Sequence, residues 1–177
     1  GSRSEPTRSP WNWSATGVTA LAPASTAWAY TASASSVKYV IDTWTGSSGH
    51  LHMSIWDKAG EKPLTHDPKA GLPYGMSTKF SQFVAGMMAM SRELAVFVAP
   101  FINSYKRYAS LSWAPVNVVW GRDNRTTGFR LVGHEKSLHI ENRFPGGDMN
   151  AYLTYAAMVG AGLYGIEHKL KLAPEFK

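Results

Sequence analysis

The alternation of apolar and polar positions divides the chain into stretches of period two and stretches of period three to four. Residues 50–56 alternate strictly, with His50, His52 and Ser54 on one side and Leu51, Met53 and Ile55 on the other. That is the pattern of a strand buried on one face. Residues 136–145 read Lys-Ser-Leu-His-Ile-Glu-Asn-Arg-Phe-Pro. Run extended, they set Leu138, Ile140 and Asn142 against the core and His139, Glu141 and Arg143 on the opposite face. Further β-prone runs fall at 38–44, 114–120 and 128–132. Between 78 and 98 the period changes: Phe80, Phe83, Val84, Met87, Met90, Leu94 and Phe97 recur three and four apart, behind Ser77 as N-cap and ahead of Pro100. One long helix is predicted there. A second is predicted over about 151–169, capped by Asp148 or Asn150 and packing through Leu153, Ala156, Ala157, Gly160, Leu163 and Ile166. A short helix near residues 20–30 would be broken at Pro23. The expected fold is α+β: an antiparallel sheet from strands near 38–44, 50–56, 114–120, 128–132 and 137–143, with the two long helices packed on one side.

Composition adds boundaries. Of 177 residues 44% are hydrophobic, enough to bury one core. The first 37 residues are rich in Ser, Thr, Ala and Pro, with Trp11, Trp13 and Trp28 at no regular period. The expectation is therefore a divergent or poorly ordered segment over 1–44 and a folded portion over 45–177. The chain opens with Gly-Ser rather than Met, as a cloning remnant or a piece of a longer protein would. The absence of cysteine excludes disulfides, thiolate metal sites and a cysteine nucleophile. No apolar run is long enough to cross a bilayer and no signal peptide is evident, so a soluble cytoplasmic protein without a membrane partner is expected. Eighteen Lys and Arg against twelve Asp and Glu give a formal charge of +6, which favours an anionic partner.

The chemistry gathers on the polar strand faces. Glu141 and Arg143, two apart on one face, suit a hard cation and an anion side by side; the plain alternative is an exposed salt-bridge ladder. His50 and His52 suit a metal or a phosphate, or form an ordinary surface pair. Gly46 opens a Gly-Ser loop whose backbone N–H groups can approach an anion. Arg122, Arg125 and Arg130 crowd guanidinium groups in a way that suits phosphate clamping. A zinc hydrolase built on His50 and His52 lacks a clear third ligand and a placed base. A nucleic-acid module is opposed by the lack of aromatic residues interleaved with those arginines.

Three separated segments together resemble a known family. Gly46-Ser-Ser-Gly-His-Leu-His-Met-Ser54, then Asn103-Ser-Tyr-Lys-Arg107 with Ala114-Pro-Val, then Asn124-Arg-Thr-Thr-Gly-Phe-Arg130 followed by Ile140-Glu-Asn-Arg-Phe-Pro145 resemble, in order and spacing, the C-terminal part of the glutamine synthetase catalytic domain. The likeness covers about residues 45–170. It implies an ATP-dependent ligase that phosphorylates glutamate and lets an amine displace phosphate to give a γ-glutamyl amide, with Mg²⁺ or Mn²⁺ at the nucleotide. Position by position it implies metal ligation by His50 and Glu141 and ATP contacts from His52, Ser54, Arg130 and Lys136. It implies glutamate contacts from Gly46, Arg107 and Arg143, and a catalytic role for Arg125 on the transferred phosphate. Ammonia-using members carry a glutamate where this chain has Trp113, a ring that receives a larger ammonium by cation–π contact. Together with the phrasing around Arg122–Arg125 this resembles the branch that glutamylates polyamines or ethanolamine, with glutamine synthesis from ammonia as the alternative. His139 stands where many members have an arginine. Such enzymes form stacked rings and take further carboxylates from an earlier part of the domain. Residues 1–44 lack that pattern, so the chain is expected to be an incomplete piece, inactive alone.

Overall fold

The computed structural model describes the backbone of residues 29–37 and all of residues 48–109 and 114–177. The strand expected at 38–44, Gly46 and Trp113 lie outside the described residues, as does most of the expected short helix. Its last two residues, Ala29 and Tyr30, instead open strand β1 (Ala29–Val37). The remaining strands are β2 (Ser48–Trp56), β3 (Trp120–Arg122), β4 (Phe129–Val132) and β5 (His139–Asn142). They form a five-stranded sheet in the order β1-β2-β5-β4-β3. The pairings β1–β2, β2–β5 and β5–β4 are antiparallel, as expected, whereas β3 runs parallel to β4 at the edge. β3 is so short that residues 123–128 suffice to carry the chain back to its start.

Register decides what each face carries. Leu51 lies opposite Asn142 and Met53 opposite Ile140, while β4 sets Phe129 and Leu131 against the same two β5 residues. These rows bury Leu51, Met53, Phe129, Leu131 and Ile140 against Phe80, Phe83, Val84 and Met87 of helix α1 (Thr78–Ala89). Tyr155, Met158 and Ala161 of helix α3 (Ala151–Glu167) complete the core. Both long helices therefore cover one face of the sheet and leave the other for polar groups. α1 and α3 meet backbone to backbone: a Cβ on Gly86 would stand 2.1 Å from the Ala161 carbonyl oxygen.

Three boundaries differ from expectation and a choice between two caps is resolved, each for a local reason. The helix predicted over 78–98 stops at Ala89 and resumes only as α2 (Ala95–Val98). Ser91 Oγ donates to the Met87 carbonyl at 2.7 Å, displacing the helical N–H bond there, and Ser91 N turns to Met88 O instead. The run 114–120 is extended only from Trp120, because Pro115 brings no N–H and Val119 N folds back onto Asn117 O. Lys136 sits in a tight turn, Glu135–Ser137, rather than in the strand; Ser137 Oγ accepts from His134 N and holds that turn. Of the two proposed caps on α3, Asn150 serves, accepting from Leu153 N at 3.2 Å, while Asp148 accepts from Ser104 Oγ at 2.5 Å.

Candidate active site

The antiparallel register that buries Leu51 and Ile140 also aligns polar residues across three strands. His52 of β2 lies opposite Glu141 of β5, and Glu141 lies opposite Arg130 of β4. His50 and Arg143 stand two residues along on the same face. Gly49 anchors this end of β2, its N–H donating to Pro145 O at 2.9 Å. A Cβ there would come within 2.8 Å of Gly146 O, so only glycine lets the two segments close.

Glu141 is the centre. Its side chain is 4% exposed, and the carboxylate accepts from His50 Nδ1 on Oε1 at 2.9 Å. Arg143 Nη1 reaches Oε1 at 3.3 Å, Arg130 Nη1 reaches Oε2 at 3.2 Å, and His52 Nε2 lies 3.7 Å from Oε1. Burial favours the neutral acid, but the His50 hydrogen bond and the Arg143 charge outweigh it and hold the pKa down at about 2. The pKa of His52 is also lowered, by burial first, with His139 and His50 adding repulsion against the attraction of Glu141. The His139 ring centroid lies 5.2 Å from that of His52.

The arginines divide. Arg130 is the outer wall of the cluster, its Nη2 paired to Asp123 Oδ1 at 2.5 Å. Arg143 is buried beside Glu141. Arg107 is half-buried next to the same strand end: it donates to Phe144 O, as does Tyr108 Oη at 2.7 Å. Burial lowers the Arg107 pKa. Arg125 is exposed in the β3–β4 loop, outside contact with Glu141 among the described residues. Arg122, grouped with it by sequence, turns away: it donates to Gly133 O at 2.6 Å and stacks 5.5 Å from the centre of the Tyr74 ring. Ser54 shares the face of His50 and His52 and accepts from Trp56 Nε1 at 2.8 Å. Lys136 is exposed on its turn ahead of β5. Sequence reasoning missed Asp123, although it is the one acid in the otherwise basic turn at 121–128.

Ligands cis to one another on octahedral Mg²⁺ or Mn²⁺ stand about 3 Å apart when each metal–ligand bond is about 2.1 Å. His50 Nδ1 and Glu141 Oε1, at 2.9 Å, match one edge of such a shell once Nδ1 gives up its proton. Among the described residues no group of three His, Asp or Glu side chains completes it. The guanidinium groups around the pair suit phosphate or carboxylate oxygens. No described helix is long and apolar enough to cross a membrane.

Known proteins resemble this chain over most of its length. Gamma-glutamylethanolamide synthetase GlnA4 of Streptomyces coelicolor is 46% identical over 127 residues, 72% of this chain and 26% of that protein. Glutamate–isopropylamine ligase of a Pseudomonas species is 49% identical over 129 residues, 72% of this chain and 28% of that one. Glutamine synthetase of Rhizobium meliloti is 37% identical over 131 residues. Among solved structures, GmaS in complex with ADP superposes with a TM-score of 0.64 at 31% identity, covering 73% of this chain and 30% of that one. The chain thus spans 26–30% of the length of the ligases and of GmaS. The sequence model of the glutamine synthetase catalytic domain matches residues 22–177, and the chain belongs to that family.

Proposed function

We propose that residues 45–177 form the phosphate-facing and glutamate-facing wall of an ATP-dependent ligase, one that joins the glutamate side-chain carboxylate to an organic amine through a γ-glutamyl phosphate. The observation that carries this reading is the buried Glu141 carboxylate, shared by His50, Arg130 and Arg143 on one sheet face. His50 and Glu141 would hold Mg²⁺ or Mn²⁺, which when bound supplies charge to offset that building on the phosphates. Arg143 and Arg107 offer their N–H groups to the glutamate carboxylates, and Gly46 offers backbone N–H to its amino end. Arg130, His52, Ser54 and Lys136 serve the nucleotide, and Arg125, exposed on its loop, serves the transferred phosphoryl group. The ionised state of Glu141 and the permanent charge of the arginines let this wall orient two anions without proton uptake.

The names of two similar relatives, an ethanolamide synthetase and an isopropylamine ligase, favour an organic amine over ammonia, and Trp113 in place of a carboxylate is consistent with that choice. Ring assembly and the cytoplasm, where ATP and glutamate meet, complete the reading. Because this wall supplies only part of the metal shell, the chain alone binds nucleotide weakly and does not turn over.

The test is calorimetric titration of the chain with ATP and Mg²⁺, followed by mass-spectrometric search for γ-glutamyl amides after incubation with glutamate and ethanolamine, isopropylamine or ammonium. Weak nucleotide binding that is lost in Arg130→Ala, with no amide formed, is expected. Binding indifferent to Arg130→Ala would overturn the site, and amide formation would overturn the incompleteness.

A further inference from the structure

Arg130 has three N–H edges, and their surroundings differ. Nε is buried without a hydrogen-bond partner among the described residues, and Nη1 faces the buried carboxylate of Glu141. Nη2 is held at 2.5 Å by Asp123, whose side chain is 60% exposed. The edge of the guanidinium nearest solvent is thus capped by a carboxylate. That carboxylate is fixed rather than adrift. Asp123 adopts φ +51°, its N–H donates to Leu131 O at 3.0 Å, and the next residue, Asn124, accepts from Thr126 N at 2.9 Å to lock the turn. The left-handed conformation is one that Asp tolerates better than most residues, at some cost in strain. Arg122, whose guanidinium is directed to Gly133 and His134, and Arg125 add their charge to Asp123, but its hydrogen bond goes to Arg130.

We propose that Asp123 is a specificity-determining residue of this site. By occupying the solvent-side edge of Arg130 it obliges any anion to displace a carboxylate. A polyphosphate, with several charges and oxygens that engage the neighbouring cations at once, can do so. A lone carboxylate cannot, since it would exchange one oxygen for an equivalent one. The consequence is that the glutamate substrate is kept off the nucleotide arginine and left to Arg107 and Arg143. The inference rests on the phosphate-facing role given to Arg130 above.

The experiment titrates the whole chain with pyrophosphate and, separately, with acetate, in low salt and in about 0.5 M KCl, where the Debye length is about 4 Å. Asp123→Asn should bind pyrophosphate about 3- to 10-fold more tightly than the parent and acquire measurable acetate binding, and both gains should persist in high salt. Glu93→Gln, which removes an equal charge from the exposed α1–α2 turn, controls for net charge; any gain it shows should vanish in high salt. Asp123→Gly, well suited to φ +51°, repeats the test should the Asn variant fold poorly. Equal pyrophosphate affinity in parent and variant, or a gain matched by Glu93→Gln in high salt, overturns the role of Asp123 while leaving the phosphate site intact. Absence of pyrophosphate binding in parent and variant alike overturns both.

Discussion

Replacing Glu141 with Gln is the sharpest physical test of the cluster. The His50 hydrogen bond and the Arg143 charge hold the Glu141 carboxyl group at about 2 in the folded chain, against 4.5 for an ordinary glutamate. A difference of about 2.5 pKa units, at about 1.4 kcal/mol each, corresponds to about 3 kcal/mol of folding free energy carried by the ionised form. The sign follows from the direction of the shift. A carboxyl group whose folded pKa is depressed stabilises the fold above its unfolded pKa, and that contribution drains away as pH falls from about 4.5 toward 2. Glu141→Gln keeps the shape but removes the charge, leaving Arg130 and Arg143 facing a neutral amide in a buried setting. Urea unfolding followed by tryptophan fluorescence, repeated from about pH 7 down to about pH 2, should therefore give two curves that differ by about 3 kcal/mol at neutral pH and converge toward the acid end. Glu175, whose lowered pKa comes from Arg122 and Tyr74 away from this cluster, bends both curves equally. A difference that stays constant across the range would refute the reasoning, since the loss would then be steric and not electrostatic.

Three further outcomes are expected. His52, held below the ordinary histidine value of 6.5 by burial, must take up a proton on unfolding in mild acid; stability should be complete above about pH 6.5 and fall below it, and His52→Asn should flatten that limb of the same urea series. Gly86→Ala forces a methyl group against the Ala161 carbonyl and should cost about 2 kcal/mol, visible as a melting temperature lower by several degrees; an unchanged melt would mean that the helices are not in backbone contact. Mn²⁺ alone should bind poorly beside so many arginines but tightly together with ATP, so electron paramagnetic resonance should report cooperative uptake; independent binding of the two would contradict the shared site.

The parts legible in the sequence are those fixed by period and register. Strict alternation at 50–56 and 138–143 assigned each residue to a face, and once β2 and β5 pair in antiparallel register His50 and His52 must meet Glu141. What escaped was decided by single hydrogen bonds that no period encodes. Ser91 breaks the long helix by bonding one carbonyl, and Ser137 closes a turn that leaves Lys136 exposed. Arg122 and Arg130 look alike in a row of guanidinium groups, yet the short parallel excursion through β3 sends one to Gly133 and the other to Glu141. The partner that distinguishes them, Asp123, depends on a left-handed backbone that composition cannot announce.

Why a buried carboxylate should be surrounded by groups that compete for it follows from the charges. Glu141 must stay ionised at every physiological pH if it is to accept a hard cation without first losing a proton, and the His50 bond with the Arg130 and Arg143 charges secures that. With Arg107 beside them, three guanidinium groups stand against the carboxylates of Glu141 and Asp123, a positive excess that repels a bare divalent ion. On the proposed function a polyphosphate would reverse the balance, drawing Arg130 and Arg143 toward its own oxygens and loosening their hold on Glu141 where a cation would be held. On this view the long contacts of 3.2 and 3.3 Å from the arginines, beside the shorter 2.9 Å bond from His50, are weak enough to be exchanged. The arginines would then serve as placeholders for the metal and as ligands for the phosphate in turn, which is why the proposed function expects cation and nucleotide to bind together.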